Sequence, residues 1–473
     1  MDKYVTTKIL IPSGALGLGY DRDAFMRGIE YKPDLIAIDG GSTDSGPHYL
    51  GTGTSKYSRS SIKSEWRELM QARAIANVPL VIGTAGTCGA DDAVDWFLDI
   101  TKEIAKETDQ NVSVAVLKSG QPIDRVINAF QQGRITPLEP AIEIDHALLQ
   151  SCSNIVALAG AEQIQAALKT GADIIIAGRA TDTATIAALP LARGCHAGGA
   201  WHGAKIGECG ALASTNPSSG TILITFDADG FTVEPMGQTA RATPYTVSAH
   251  MLYENANPLQ LYEPGGHLDV TGATYTALDD RRVRVTGSTW IPSEKYTVKL
   301  EGARCGGYQS VSLALIREAR YVRNIQAWTD SIEQKCHEKA RERIGADFTL
   351  ELRIIGLNAT LGAQDWNAKI GSEVGVLGII TAPSEIVAKE VSKMLNPYLL
   401  HHPLTDDEEM PTFAFPFSPN EMNRGEIYEF CLNHLTFAEH PAHALGSLED
   451  ESDTNLTHKA GAVSNHALSF DRR

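Results

Sequence analysis

The chain has 473 residues, of which 43% are hydrophobic and 21% charged, and carries a formal net charge of −17. That length calls for more than one core, and the composition is that of a packed globular protein rather than a disordered one. The acidic balance argues against nucleic acid as a partner, because a phosphate backbone requires a basic face, whereas one or two placed cations can still grip a small anion.

In chain order, short apolar runs at 8–12, 34–38, 78–82, 112–117, 154–159 and 173–177 alternate with helical stretches at 61–76, 91–106, 123–132 and 161–169. This alternation predicts an α/β fold in which a parallel sheet is covered by helices on both faces, forming a domain over residues 1–194. Six strands in that span suit an open sheet better than a closed barrel. Residues 195–294 are rich in Gly, aromatic and Thr/Val runs with few helical periodicities, and are expected to be a β-rich segment. From 295 to 445 the predicted order is strand, helix, strand, strand, helix, an α+β sandwich domain. Phe413, Phe415 and Phe417 alternate at period two, which fits a half-buried strand. Residues 446–473 are polar and weakly patterned and read as a mobile tail.

The first apolar run follows no basic leader or cleavage site, and no stretch approaches the roughly 20 apolar residues that cross a bilayer. Cysteines 88, 152, 195, 209, 305, 336 and 431 are odd in number and lack CxxC spacing, which disfavours a disulfide framework and a structural zinc site. A reducing, cytoplasmic location is the expectation.

In a parallel sheet the strands' C-terminal ends share one edge, and ligands bind outside it. The loops expected there are glycine-dense: Ser13-Gly14-Ala15-Leu16-Gly17, then Asp39-Gly40-Gly41-Ser42-Thr43-Asp44, Gly83-Thr84-Ala85-Gly86-Thr87-Cys88-Gly89, Lys118-Ser119-Gly120, and Gly178-Arg179-Ala180-Thr181-Asp182. Glycines there let backbone N–H groups approach a ligand. Asp39 and Asp44 suit a general base or an oxygen-ligated divalent cation, and equally an Asx turn with an N-cap. The Gly83–Gly89 loop precedes a helix and could cradle an anion, although it is no nucleotide motif. Arg179 can grip a carboxylate or phosphate, with Lys118 as a second cation, or can pair internally with Asp182. Cys88 and Cys209 are candidate nucleophiles or inert small residues, and His267 with Asp269 is an acid–base pair or a surface turn. Gly14, Gly17 and Gly19 with Asp39 give G-x-x-G-x-G rather than G-x-G-x-x-G, so NAD is not expected.

These loops, with Glu208-Cys209-Gly210, Tyr262-Glu263-Pro264-Gly265-Gly266, the block Pro411-Thr412-Phe413-Ala414-Phe415-Pro416-Phe417-Ser418-Pro419, Arg424-Gly425 and Tyr428-Glu429-Phe430, resemble the acyclic terpene utilisation AtuA family. The likeness runs over residues 7–440, and departs at Thr87, where a second glycine is expected. It implies a cytosolic protein of branched-acid and terpenoid-acid breakdown. The expected function is a lyase or isomerase acting on a small or branched carboxylic acid or its CoA thioester. In that reading Asp39, Asp44 and Asp182 do acid–base or metal-assisted work, and Ser13, Gly40, Gly41, Ser42, Thr43, Thr84, Gly86, Lys118, Arg179, Thr181 and His267 bind substrate. The rival readings are a cysteine hydrolase or acyl transferase using Cys209 or Cys88, and a non-catalytic ligand-binding subunit. A small-molecule carboxylate or acyl-CoA and further copies of the chain are the expected partners, with neither nucleic acid nor membrane.

Overall fold

The computed structural model describes residues 6–365, 369–437 and 448–451. The chain divides into two compact units, Met1–Arg304 with Phe430–Arg473, and Cys305–Glu429.

In the first unit, the strands Thr7–Ile11, Leu35–Asp39, Leu80–Gly83, Ile174–Ala177 and Val114–Leu117 lie side by side in that order and run parallel. Their apolar runs are continuous because both faces are buried, and successive residues feed opposite cores. Ile9, Ile11, Leu35, Ala37, Val81 and Ile175 join one core with Ile164, Ile186 and Trp201 of the helices Ala161–Lys169, Asp182–Ala192 and Ala197–Gly207. Leu10, Ile36, Ile38, Ile82, Val116 and Ile176 join the other with Phe25, Trp66 and Phe97 of Arg22–Glu30, Arg59–Ala76 and Asp91–Glu107. Trp66 meets Phe97 edge-on at 4.9 Å and donates its indole N–H to Thr101 Oγ1 at 2.9 Å, so a fully buried ring keeps its polar atom satisfied. The chain therefore has the mixed α/β character that the alternation predicts, with a sheet containing parallel strands.

In this unit, three features differ from the sequence expectations. The run at 154–159 does not enter the parallel sheet: Cys152–Ala157 pairs antiparallel with residues 300–304. A continuous apolar run reports burial on two sides but not which strand lies beside it. The strands Ile222–Phe226, Gly230–Pro235, Val283–Thr286 and Thr274–Ala277 extend the same sheet antiparallel from Thr7–Ile11, with Thr7 opposite Phe226 and Ile11 opposite Ile222. Finally, Ala197–Gly207 is a helix in a stretch with few helical periodicities. Every residue from 198 to 207 is buried, so it has no polar face to generate a period.

In the second unit, Thr349–Ile355 pairs antiparallel with Val374–Ala382, which pairs antiparallel with residues 308–316. The helices Ile325–Arg343 and Glu385–His401 pack on this sheet through Ile332, Cys336, Val391 and Leu395. The aromatic block at 411–417 is not a strand, contrary to its period-two pattern. It makes one bridge, between Ala414 and Leu315, because Pro411 and Pro416 lack the N–H that a ladder needs. Phe413 instead lies edge-on to Tyr321 at 4.8 Å and to Trp328 at 5.3 Å, whereas Phe417 is 48% exposed. The expected tail, 446–473, falls outside the described residues apart from Leu448–Glu451, which pairs antiparallel with Val114–Leu117.

Gly89 and Gly133 separate backbone strain from close packing. Both have positive φ, +64° and +65°, but a Cβ on Gly89 would lie 2.1 Å from the Arg179 backbone nitrogen, whereas one on Gly133 meets nothing within 4 Å. Gly133→Ala should cost about 1 kcal/mol in urea denaturation and Gly89→Ala at least about 3 kcal/mol, the excess measuring the overlap with the Arg179 loop. Equal losses would show that the two loops do not abut.

Candidate active site

Asp39 ends the second strand, Thr84 follows the third, and Arg179 and Asp182 follow the strand Ile174–Ala177, so parallel pairing sets them on one edge. The glycines of this edge chiefly let loops touch one another. A Cβ on Gly40 would lie 2.6 Å from the Thr84 carbonyl, one on Gly41 2.8 Å from Thr87 Cα, and one on Gly86 2.7 Å from Ala93 Cβ. Thr87 occupies the position where the family pattern expects glycine, and its φ of +77° is of the left-handed kind that glycine favours. Its hydroxyl accepts the Lys56 N–H at 3.0 Å, a bond glycine would lack.

Arg179 is 7% exposed and its donors are engaged within the protein. Nε donates to Glu301 Oε2 at 2.9 Å, Nη1 to Thr84 Oγ1 at 3.3 Å and the Ala180 carbonyl at 3.1 Å, and Nη2 to Thr43 Oγ1 at 3.4 Å. Thr43 also donates to Glu301 Oε2 at 3.1 Å, and Lys299 Nζ to Glu301 Oε1 at 2.8 Å. Burial alone would raise the Glu301 carboxyl, but Arg179 and Lys299 override it and hold it down to about 2. Burial opposes the Arg179 charge in the same way, and Glu301, Asp182 and Asp39 more than compensate. Of the two readings of Arg179, internal pairing is therefore realised, with Glu301 at 2.9 Å and Asp182 at 4.0 Å.

Nearby stand carboxyls whose ionisation burial disfavours. Asp39 is 8% exposed; Oδ2 accepts the Gly41 N–H at 3.2 Å, and buried Oδ1 has no partner. Burial, and then the charge of Asp182, push Asp39 well above the usual carboxylate range, with Arg179 and the Gly40 and Gly41 amides pulling against them. Burial also raises Asp182, and Asp44 and Glu254 add to it against Arg179 and Lys205. Glu208, which caps the C-terminus of Ala197–Gly207, is buried and raised to about 8, even though it is paired with the Lys205 ammonium. Glu263 hydrogen-bonds the Thr183 hydroxyl through Oε1, its Oε2 is buried without a partner, and burial raises it to about 7. Asp182 acts electrostatically on Asp39, Glu208 and Glu263 alike, which makes it the hub of the group.

The other predicted residues fall in several places. Ser13 is buried, its hydroxyl donating to the Ala15 carbonyl, and Cys209 packs its backbone about Gly14. Ser42 caps the turn at Thr43–Ser45 by accepting the Asp44 N–H at 2.9 Å, and Asp44 is exposed. Thr181 caps the helix Asp182–Ala192 and sits 3.1 Å from Thr183 Oγ1. Lys118 pairs with Asp95. His267 stacks tilted on Tyr262, and Asp269 accepts the Thr271 N–H in a turn. The helix after the Gly83–Gly89 loop carries Asp91 and Asp92 in its first turn, which disfavours an anion there. Asp91 accepts the Gly120 N–H and lines a cavity of about 310 Å³ on the same edge, with Gln121 and Asn154. Burial raises the thiols of Cys88 and Cys209, so neither is set up as a thiolate.

Glu301, Lys205 and His250 are absent from the sequence-derived set. Glu208 and Glu263 were visible only as members of the Glu208-Cys209-Gly210 and Tyr262–Gly266 motifs. Glu301 lies in an alternating strand and His250 in a short 3₁₀ turn, neither of which marks chemistry.

An α/β sheet whose strand-end loops bring Asp39 and Asp182 into the field of one buried cation, Arg179, is the frame of the candidate site. The chain belongs to the acyclic terpene utilisation AtuA family, whose model matches residues 65–214 and 195–405. The match takes in 178–182, 208–210 and 262–266, while the Asp39 loop lies before it and the 411–430 block after it. No curated protein and no solved structure matches the chain. Among the described residues, no helix is long and apolar enough to cross a membrane.

Glu301→Gln would leave Arg179 buried without its counter-charge, and a loss of about 3–5 kcal/mol in denaturant unfolding is expected. Glu263 predicts a pH effect of definite sign. Its folded value near 7 exceeds the ordinary 4.5, so the folded state binds the extra proton, and stability falls as pH rises from about 4.5 through 7. Glu263→Gln should flatten that fall, measured as Tm between pH 5 and pH 8, by up to about 3 kcal/mol. A variant whose slope matches the wild type would remove Glu263 as its source.

Proposed function

We propose that this protein is a catabolic enzyme of acyclic terpenoid breakdown, a lyase or isomerase acting on a small or branched carboxylic acid or its CoA thioester. The observation that carries this reading is the pair Asp39 and Asp182, two buried or half-buried carboxyls on one edge, both raised, with Asp39 Oδ1 unpartnered. A carboxylate raised towards neutral pH takes and returns a proton more effectively than one fixed as an anion. Ionised Asp39 removes a proton next to a carbonyl, and a neutral neighbouring carboxyl, such as that of Glu263, supplies one to the developing oxyanion or leaving group. Arg179 acts as a positioning residue: engaged by Glu301, Thr43 and Thr84, it fixes the loops and limits how far Asp39 is raised. Leu212, Leu252 and Tyr253 are exposed on the elements that carry Cys209 and His250, and offer apolar surface for a branched acyl chain. The raised thiols of Cys88 and Cys209 weigh against the cysteine mechanism.

The test is proton exchange. A panel of branched and terpenoid acids and their CoA thioesters is incubated with the protein in D₂O and followed by NMR. Deuterium should enter at the carbon next to the carbonyl, and Asp39→Asn and Asp182→Asn should slow this by roughly 100-fold or more while the proteins still fold. Asp39→Asn should leave Tm unchanged or higher, because it removes a buried carboxyl with an unpartnered oxygen. Full exchange by both variants, or none by the wild type on any member of the panel, would sink the reading.

A further inference from the structure

A second cluster stands beside the acid–base pair, at the C-terminal end of the helix Ala197–Gly207. One ligand-type atom from each of Glu208, Cys209 and His250 lies within 4.8 Å of the others. His250 is 5% exposed, hydrogen-bonds the Lys205 backbone, and leaves Nε2 buried without a partner. An imidazole fixed by one nitrogen with the other bare is how metal-binding histidines are presented. The other two side chains are oriented as well: Lys205 holds Glu208, and Tyr253, stacked on the His250 ring at 5.5 Å, hydrogen-bonds Cys209. The closing dipole of an 11-residue helix favours positive charge at this end, and Asp182, Glu254 and Glu263 surround the cluster with more negative charge than Lys205 offsets.

We propose that Glu208, Cys209 and His250 form a binding site for a zinc-class divalent ion. Carboxylate oxygen, thiolate sulfur and imidazole nitrogen together suit a borderline-soft ion rather than magnesium or calcium. With metal–ligand bonds of roughly 2.0–2.3 Å, tetrahedral ligands stand about 3.5 Å apart, a spacing within the 4.8 Å that bounds the separations of the three atoms here. Cys209 Sγ releases its proton to solvent as the metal–sulfur bond forms. Three protein ligands leave one position open, the pattern of catalytic rather than structural sites. That the open position receives a substrate carbonyl rests on the acid–base reading above; the binding of the ion does not.

The full chain is stripped with a chelator and titrated with Zn²⁺ and, separately, Co²⁺, with metal content measured by mass spectrometry and cobalt absorbance recorded. Expected are one ion per chain, a thiolate-to-cobalt charge-transfer band and the strong visible absorption of tetrahedral cobalt. Cys209→Ser should abolish the charge-transfer band, and His250→Asn or Glu208→Gln should weaken binding by roughly 100-fold or more. The wild-type spectrum tests the site even if a buried variant fails to fold. Asp39→Asn and Cys88→Ser should bind the ion as the wild type does. Retention of the ion by Asp39→Asn with loss of proton exchange would support both ideas; proton exchange by a metal-free wild type would leave the acid–base reading standing without a role for the ion. The proposal is overturned if the wild type binds no stoichiometric ion, or if the cobalt band survives in Cys209→Ser.

Discussion

The contact between Arg179 and Glu301 is the constraint on which the rest of the edge depends. A guanidinium that is 7% exposed cannot exist without a counter-charge, and Glu301, itself 5% exposed, provides it at 2.9 Å. The same cation reaches Thr43 in the Asp39 loop and Thr84 in the Gly83–Gly89 loop, tying three strand ends to a fourth strand. It is also the charge that lets Asp39 and Asp182 stand in each other's field. The sequence left open whether Arg179 takes a substrate's acid group or pairs internally, and the surrounding acceptors engage it within the protein.

How far the sequence revealed this follows from what each signal measures. Continuous apolar runs located the strands because burial on both faces leaves no alternative pattern, and glycine density located the edge. The same runs could not show that Cys152–Ala157 pairs elsewhere or that residues 222–286 extend the sheet, because pairing depends on partners far away in the chain. Ala197–Gly207 was hidden by its complete burial, and the alternation at Phe413–Phe417 misled because prolines interrupt it. Asp39 and Asp182 could be read from the sequence as carboxyls ending or following buried strands. Glu301 and His250 could not, since a glutamate in an alternating strand and a histidine in a turn carry no local mark. Glycines of these loops, read as backbone opened towards a ligand, also bring backbone against backbone, as at Gly40, Gly41 and Gly89.

Function and stability oppose each other here through one cause. Desolvation raises Asp39, Asp182, Glu208 and Glu263. Raised carboxyls are useful proton carriers, but each becomes costly to keep folded once it ionises. Lys205 and Arg179 temper this without cancelling it, and a divalent ion at Glu208, Cys209 and His250 would add the positive charge that the group lacks. The proposed acid–base pair and the proposed metal site are thus two responses to the same crowding of buried carboxyls.

The Thr43–Glu301 contact spans 258 residues and the Arg179–Glu301 pair 122, while Thr7–Ile11 takes one of its two neighbours from residues 222–226. A chain emerging from the ribosome therefore carries Arg179 for more than a hundred residues before its counter-charge exists. The first strand likewise waits, one edge open, for about half of the polypeptide to be made. Assembly of this edge is a late event in biogenesis, set by the final closure of long-range contacts rather than by local helix formation. The sheet and helices can begin to form early, but the candidate site is complete only with Glu301.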